Sequence, residues 1–161
     1  MRKIGLLFGS FNPLHNGHLM VAKAAQLERT LDEVWFVVQP ENIYKPVFIF
    51  LDYETRKRLI SESGYQVYES SSTDYAHFIL NTLKEIQDVD LTLILGADLT
   101  ATFPQWEDHD EITELVSIYQ SHRIDDISSG QIRDRLEDNK SIDDLVPPAV
   151  ASYLKRHQHS G

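Results

Sequence analysis

The fold is decided by the stretch Lys3–His18, which has the sequence KIGLLFGSFNPLHNGH. Its opening, Lys3–Phe8, is a short apolar run that predicts a buried β-strand. The run stops at Gly9, where glycine permits a tight turn, and helical spacing of apolar residues follows over Gly17–Arg29. A secretory signal would need a longer apolar core and a small-residue cleavage site. We therefore expect a strand, a loop and a helix.

The rest of the chain repeats this alternation. β-branched and aromatic runs predict strands, and apolar residues spaced by three or four predict helices. Strands that alternate with helices favour a parallel sheet, so we expect an α/β fold with an open parallel sheet, helices on both faces and one domain over residues 1–161. The further strands are expected at Glu33–Gln39, Tyr65–Glu69, Leu91–Leu95 and Val116–Gln120, the further helices at Asp52–Ser61, Asp74–Gln87, Asp108–Leu115, Ser128–Glu137 and Pro147–His157, and a loop at Glu41–Leu51.

Composition and charge narrow the function. The chain has 161 residues, 42% of them hydrophobic, no cysteine and a formal net charge of −10. This charge argues against a protein that must neutralise many nucleic-acid phosphates, although a few local cations can still bind a small anion. The absence of cysteine excludes disulfides, thiolate metal sites and a cysteine nucleophile. We expect a cytoplasmic protein that uses neither nucleic acid nor a membrane as a partner; its oligomeric state stays open.

The loop Gly9–His18 is the best candidate for a functional site. In open α/β sheets, ligands bind beyond the carboxyl ends of the strands, where this loop lies. Pro13 stiffens the loop, and Gly17 lets the backbone approach a ligand closely. His15 and His18 are three residues apart at a helix start, so both imidazoles can donate hydrogen bonds to one phosphate-like anion, more strongly when protonated.

Zinc is the rival ligand for these two histidines. No Cys, Asp or Glu stands close by in the sequence to complete a zinc set. We therefore predict no metal site built from the protein itself.

Two separated motifs carry a resemblance to a known superfamily. The loop Gly9–His18 resembles the His-x-Gly-His loop of the nucleotidylyltransferases, and Ile127–Arg133, with the sequence ISSGQIR, resembles their second signature, Ile-Ser-Ser-Thr-x-Ile-Arg. The second motif is expected at a helix start, where free N–H groups and the hydroxyls of Ser128 and Ser129 suit a polyphosphate. Arg133 adds a cation one turn later. Taken alone, this segment would fit an ordinary serine cap with a surface arginine equally well.

Further matches resemble the bacterial nicotinate-mononucleotide adenylyltransferases and run through most of the chain. They are Leu31–Val38 followed by Lys45-Pro46, then Gly96–Leu99, Phe103–Trp106 and Val146–Val150. The resemblance implies a Rossmann-like fold. It also implies transfer of AMP from ATP to the 5′-phosphate of nicotinate mononucleotide, with release of pyrophosphate, in NAD biosynthesis.

The resemblance further implies which residues hold the phosphates. His18 would contact the α-phosphate of ATP, and His15 would position the polyphosphate. Lys45 would hold a transferring or acceptor phosphate, and Arg133 with the two serines would hold the β- and γ-phosphates. Mg²⁺ is expected to arrive with ATP, because it keeps most of its waters.

On the acceptor side, Gly96 and Asp98 would contact a ribose and Trp106 would border the pyridine. Without the resemblance, Asp98 would fit a helix cap and Trp106 a core aromatic. The expected partners are thus ATP and a phosphorylated small-molecule acceptor. The expected binding residues are Gly9, Ser10, Phe11, Gly17, Gly96, Asp98, Trp106, Ile127, Ser128 and Ser129, and the expected catalytic residues are His15, His18, Lys45 and Arg133.

Three departures from the family pattern leave the acceptor open. Gly130 stands where the family usually has Thr, which removes one hydroxyl from the phosphate cradle. The segment Tyr75–Leu83 lacks the threonine that usually follows the tyrosine, and the stretch between Tyr119 and Ile127 is shorter than usual. The alternatives are an adenylyltransferase for nicotinamide mononucleotide or phosphopantetheine, and a non-catalytic nucleotide-binding regulatory domain.

Overall fold

The computed structural model describes residues 1–40, 50–121 and 127–157 of the chain. Within these ranges the strands form one sheet with the order β3-β2-β1-β4-β5, and every neighbouring pair is parallel. The central strands are nearly continuous apolar runs, as expected for a sheet that is buried on both faces. The strands are β1 Lys3–Gly9, β2 Glu33–Val38, β3 Gln66–Val67, β4 Asp90–Leu95 and β5 Ser117–Gln120.

Helices cover both faces of this sheet. Leu7 and Phe36 pack on one face with apolar residues of α1, α2, α6 and α7, whereas Leu6 and Val37 pack on the other with residues of α3 and α5. This confirms the Rossmann-like open parallel sheet. The helices are α1 Asn16–Glu28, α2 Tyr53–Glu62, α3 Phe78–Glu85, α4 Ala97–Thr102, α5 His109–Leu115, α6 Ser129–Glu137 and α7 Pro148–His157, with 3₁₀ turns at Tyr75–His77 and Phe103–Gln105.

Polar side chains set the starts of two helices, as the sequence predicts. Asp52 caps α2 by accepting a hydrogen bond from the Thr55 N–H at 2.8 Å. Ser128 caps α6 in the same way, with the Gln131 N–H at 3.1 Å from its hydroxyl oxygen. Such caps satisfy N–H groups that a helix start leaves without partners.

Two predicted elements are shorter or less regular than expected. The sequence predicts a strand over Tyr65–Glu69, but β3 is an edge strand of two residues. It also predicts one helix over Asp74–Gln87, but this segment begins as a 3₁₀ turn and becomes α-helical only at Phe78. The Asp74 carboxylate accepts from the Ala76 N–H, a local turn bond that competes with a regular helix start.

The helix α4 is absent from the sequence-based prediction. It has only 6 residues, and its cap residue, Gly96, has no side chain to mark the start. A helix of this length gives no measurable period. The predicted loop Glu41–Leu51 lies outside the described residues except for Phe50 and Leu51. Among the described helices, none has the length and apolar composition that a bilayer span requires.

Candidate active site

The chain changes direction across the sheet between β1 and β4. The strands β1, β2 and β3 follow one another to one side, and the chain then crosses back to β4 and β5 on the other side. At such a switch point the loops after the two neighbouring strands diverge and leave a crevice for a ligand. Gly9, which ends β1, and Gly96, which follows β4, flank this crevice.

A buried phenylalanine supports the loop after β1 from inside. Phe11 is 2% exposed, has a left-handed backbone (φ 50°) that is uncommon for a bulky residue, and packs its ring against Phe36 and His18 at centroid distances of 5.4 and 4.8 Å. A Cβ at Gly9 would lie 3.1 Å from the Phe11 ring, so a larger residue here would require the ring to shift by a few tenths of an ångström. The neighbouring Asn12–Pro13 peptide bond is cis. Because the Phe11 side chain is buried, a ligand could contact this residue only through its backbone.

The two histidines of the loop cap the start of α1 through each other. The Gly17 N–H donates to His15 Nδ1, and the His15 N–H donates to His18 Nδ1, both at 3.1 Å. The rings stack with centroids 3.7 Å apart. Because both Nδ1 atoms accept from backbone N–H groups, each neutral ring carries its proton on Nε2. The cap therefore fixes the same tautomer in both rings, with the proton on Nε2.

Electrostatics favour the neutral form of His18. Although part of this side chain reaches solvent, its ring lies deep among protein atoms, and burial lowers the pKa of His18 well below its usual range, with a further contribution from His15. Desolvation disfavours the charged form of an imidazole. In the unliganded protein near pH 7, His18 thus offers a neutral N–H donor rather than the protonated ring that would donate most strongly.

At the N-terminus of α1, fewer backbone N–H groups are available to an anion than the sequence suggests. The Asn16 N–H donates to the Leu145 carbonyl at 2.8 Å, and the His18 N–H donates to the His15 carbonyl at 3.1 Å. With Gly17 already bound to His15, the first amides of α1 are used within the protein. A phosphate at this helix start would have to be held mainly by side chains.

The second motif docks directly on the first. Arg133 Nη1 donates to the Asn12 carbonyl at 3.0 Å, and the Ser129 hydroxyl donates to the Pro13 carbonyl at 3.2 Å. Ile127, at the start of this motif, is partly buried against the core. Two segments more than a hundred residues apart in the chain therefore meet just before His15.

The start of α6 keeps donors available. Within the described part of the chain, no acceptor contacts the N–H groups of Ser129 and Gly130, which lie beside Arg133. A Cβ at Gly130 would be 3.8 Å from Arg133 Nη2 and 3.9 Å from the Ser128 hydroxyl. Free amides and a guanidinium at one helix start form a site suited to a phosphate. To bind one itself, the Ser129 hydroxyl would have to give up its bond to Pro13.

A buried guanidinium that was not predicted from the sequence lies beneath the loop. Arg56 of α2 is 3% exposed and donates to the main-chain carbonyls of Ser10, Gln39, Pro40 and Leu51 at 2.9 to 3.1 Å. A signal was present: Arg56 is three and four residues before the apolar Leu59 and Ile60, so it shares their buried face. The adjacent Lys57 and Arg58 are also cationic, so charge alone does not distinguish the buried Arg56 from its neighbours.

Asn12 was also missed as an internal link. It is 7% exposed, and its Oδ1 accepts from the Leu51 N–H at 2.9 Å. Its own carbonyl accepts from Arg133. Asn12 thus joins the loop to the start of α2 on one side and to α6 on the other.

Comparison with known proteins assigns the family. A model of the family described as cytidylyltransferase-like matches residues 6–148. The chain belongs to the cytidylyltransferase-like family. A probable nicotinate-nucleotide adenylyltransferase of Christiangramia forsetii is 31% identical over 92% of this chain and 80% of its own length. Another of Dehalococcoides mccartyi is also 31% identical, over 96% of this chain and 95% of its own.

Solved structures give the same result. A putative nicotinate-nucleotide adenylyltransferase of Vibrio parahaemolyticus has a TM-score of 0.72 and 26% identity, over 96% of this chain and 99% of that one. A Plasmodium falciparum nicotinic acid mononucleotide adenylyltransferase complexed with NaAD, at 18% identity and a TM-score of 0.68, shares the fold. The comparisons confirm the resemblance to nicotinate-mononucleotide adenylyltransferases and place this cytidylyltransferase-like chain among the nucleotidyltransferase enzymes.

On the acceptor side, the structure describes this cytidylyltransferase-like chain only in part. Among the described residues, nothing would lie within 4 Å of a Cβ at Gly96, so on that part of the chain its backbone faces open space. Asp98 lies in the first turn of α4 rather than at its cap, and its side chain is outside the described part. Trp106 packs its ring edge-on against Phe103 at 5.1 Å and donates to the Thr102 hydroxyl at 3.0 Å. Lys45 lies outside the described residues.

A histidine–carboxylate pair joins the altered acceptor segment to the start of α5. His77 Nδ1 is 2.8 Å from Asp108 Oδ2. The hydrogen bond to Asp108, together with the charge of that carboxylate, raises the pKa of His77. This pair fixes where Tyr75–Leu83 meets the region of Trp106.

A separate cavity of about 890 Å³ runs along α6 and the segment after it, and Arg135 and Lys140 provide its positive charge. Four carboxylates line it, so it is not suited to a triphosphate. It shares Ser128 and Gly130 with the motif described above, but the two histidines do not line it. Among the described residues, its lining consists of Ser128, Gly130, Gln131, Asp134, Arg135, Asp138, Lys140, Ser141, Asp143 and Asp144.

Proposed function

We propose that residues 1–161 form one adenylyltransferase domain, which moves AMP from ATP to the 5′-phosphate of nicotinate mononucleotide. The observation that carries this proposal is the docking of Arg133 and Ser129 on Asn12 and Pro13, directly before the histidine pair. It gathers the cationic and N–H donors of both motifs at the carboxyl edge of the sheet. The relatives named as nicotinate-nucleotide adenylyltransferases support the choice of acceptor.

The reaction is an in-line displacement. An oxygen of the acceptor phosphate forms a bond to the α-phosphorus of ATP, while the bond from that phosphorus to the bridging oxygen breaks and pyrophosphate leaves. The nucleophile is already an anion, so the protein need not remove a proton. Catalysis then depends on alignment and on stabilising the charge of the phosphoryl oxygens and the leaving group.

His18 is the proposed contact of the α-phosphate. Its Nδ1 is occupied by the His15 N–H, so Nε2–H is the atom that can donate. His15, with its own Nδ1 occupied by Gly17, would position the polyphosphate in the same way. Fixing the donors before the substrate binds avoids a reorganisation cost in the transition state.

The remaining phosphate contacts are proposed from the start of α6. Arg133 would hold the β- and γ-phosphates together with the hydroxyls of Ser128 and Ser129 and the amides of Ser129 and Gly130, which have no acceptor among the described residues. Lys45 would hold the transferring or acceptor phosphate. In the loop after β1, Gly9, Ser10 and Phe11 would contribute backbone rather than side chains. Gly17, whose N–H is already bound to His15, would allow the close approach of a ligand because it has no side chain.

Magnesium would enter with ATP. Among the described residues, no group of three or more His, Cys, Asp or Glu side chains is arranged to hold a metal ion. The phosphate oxygens and water would be its ligands, and its charge would offset that of the leaving pyrophosphate.

The acceptor is expected to bind beyond β4. Gly96 and Asp98 would contact its ribose, and Trp106 would border the pyridine ring. The open space beside the Gly96 backbone among the described residues supports its assignment. The Trp106 ring already packs edge-on against Phe103, so it would border the pyridine without moving from this contact.

A pyrophosphate-release assay tests the proposal. The purified protein is given ATP, Mg²⁺ and one acceptor at a time, and we expect release to be fastest with nicotinate mononucleotide. His18→Ala should abolish release, whereas His157→Ala, an exposed histidine of α7, should not change it. Near-normal turnover of His18→Ala would refute the assignment of this residue.

The same assay separates the alternatives. Faster release with nicotinamide mononucleotide or phosphopantetheine would change the acceptor and leave the ATP site as proposed. Calorimetric binding of ATP without release with any acceptor would favour a regulatory nucleotide-binding domain.

A further inference from the structure

Arg56 is a buried cation for which the proposed reaction so far has no use. Its side chain lies in the interior, and within the described residues all its hydrogen bonds go to main-chain carbonyls rather than to a carboxylate. Burying a guanidinium without a paired anion is costly, and burial lowers the pKa of Arg56. We therefore expect the hydrogen bonds of Arg56 to hold main-chain segments in a conformation that the fold or the function requires.

The carbonyls that Arg56 holds belong to three separate segments. Nη1 donates to Ser10 in the loop after β1 at 2.9 Å and to Gln39 after β2 at 3.0 Å. Nη2 donates to Pro40 at 3.1 Å, and Nε donates to Leu51, directly before α2, at 3.1 Å. Four of the five N–H donors of a guanidinium are thus used in one planar group. A lysine could not reproduce this fork.

The bond to Ser10 fixes the orientation of one peptide group in the site. In a trans peptide, the carbonyl and the following N–H point in opposite directions. Because the Ser10 carbonyl turns inward to Arg56, the Phe11 N–H must turn away from it. Within the described residues this N–H has no acceptor. The left-handed backbone of Phe11 begins at this peptide group.

We propose that Arg56 is a positioning residue of the adenylyl-transfer site. It holds the Ser10–Phe11 peptide so that the Phe11 N–H is presented to the phosphates of ATP. Arg56 itself touches no substrate. This inference rests on the proposed function, because it assumes that the loop after β1 binds the phosphates.

The test compares Arg56→Lys with Arg58→Lys, a matched control on the same helix. Arg58 is exposed and pairs with Glu62 at 3.6 Å, so its substitution should change nothing. For Arg56→Lys, we expect kcat/KM for ATP, measured per folded molecule well below the melting temperature, to fall about tenfold or more. A merely structural role would lower the melting temperature and leave kcat/KM per folded molecule within about twofold of wild type. That result would overturn the proposal.

A second variant covers the case in which Arg56→Lys does not fold. Replacing Phe11 by its α-hydroxy analogue turns the amide into an ester and removes the N–H while keeping the side chain. This N–H has no acceptor among the described residues, but the ester also makes the Ser10 carbonyl a weaker acceptor for Arg56, so the melting temperature should fall modestly. Measured per folded molecule, kcat/KM for ATP should again fall about tenfold. Wild-type kcat/KM in the ester variant would overturn the proposal.

The two levels of failure can be told apart. If the wild-type protein releases no pyrophosphate and binds no ATP, the proposed function fails, and this inference fails with it. If the wild type is active and either variant matches it per folded molecule, the function stands and the role of Arg56 falls.

Discussion

Replacing His18 by Asn or by Gln separates the two contributions of this side chain. In Asn, the Oδ1 atom is as many bonds from Cα as Nδ1 is in histidine, so His18→Asn can still accept from the His15 N–H but has no donor at the Nε2 position. In Gln, the terminal amide reaches the Nε2 position, so His18→Gln can still donate but loses the cap. Both variants lose the ring that stacks on His15 at 3.7 Å, so the difference between them isolates the two hydrogen bonds.

The magnitudes follow from these bonds. A donor to a charged phosphate contributes roughly 1.5–3 kcal/mol, so we expect His18→Asn to lower kcat/KM about 10- to 150-fold. A helix cap contributes roughly 0.5–2 kcal/mol, and in a domain of this size each kcal/mol shifts the melting temperature by about 2–4 °C. His18→Gln should therefore melt a few degrees below His18→Asn but retain more activity.

The assay is steady-state pyrophosphate release with ATP and nicotinate mononucleotide, combined with thermal unfolding of the same samples. We expect the two variants to rank in opposite orders of stability and activity: His18→Asn should be the more stable and His18→Gln the more active. Turnover of His18→Asn within about threefold of wild type, or a His18→Gln that is both less active and no less stable, would refute it.

Three further predictions concern pH and the second motif. The pKa of His18 in the folded protein lies below its unfolded value near 6.5, so the contribution of this residue to stability is present above about pH 6.5 and is lost as the pH falls. The free energy of unfolding should change by at most about 1.4 kcal/mol per pH unit in this range. Urea titrations at several pH values should find this slope removed in His18→Asn, and an unchanged slope would contradict the prediction. The pH dependence of stability from His77 has the opposite sign, because the hydrogen bond to Asp108 raises the pKa of His77. Its contribution to stability is fully present below about pH 6.5 and is lost as the pH rises through the folded pKa. In the same urea titrations, His77→Asn should reduce this loss. Gly130→Thr should lower KM for ATP about three- to tenfold, because its Cβ meets only ordinary contacts at 3.8 and 3.9 Å and its hydroxyl adds a donor; a higher KM in steady-state kinetics would contradict this.

The fold could be predicted where the sequence has a strong period. The run Lys3–Phe8 and the helical spacing after Gly17 are long enough to identify strand and helix, and both are found within one residue of their expected ends. The prediction was least accurate at β3 and α4. Both are very short, and an edge strand or a single-turn helix is set by its neighbours rather than by its own pattern.

The meeting of the two phosphate motifs could be inferred only from family resemblance. Nothing in the local pattern of Ser129 or Arg133 identifies Pro13 and Asn12 as their partners. This contact depends on how the sheet brings distant loops to one edge. The reciprocal histidine cap was likewise not foreseen, because histidine is an unusual capping residue.

Arg56 illustrates a different gap. Its spacing from Leu59 and Ile60 was visible, but a charged side chain is rarely buried without a paired anion. Only the arrangement of four main-chain carbonyls around it makes its burial possible. The four carbonyls come from three segments of the chain, so the sequence of no single segment predicts their arrangement.

A crystal structure with a non-hydrolysable ATP analogue would test the joint phosphate site most directly. We expect the α-phosphate within about 3.2 Å of His18 Nε2 and the β- or γ-phosphate within the same distance of the Arg133 guanidinium. A triphosphate bound away from these groups, or an Arg133 side chain turned to the opposite side from His18, would contradict the account.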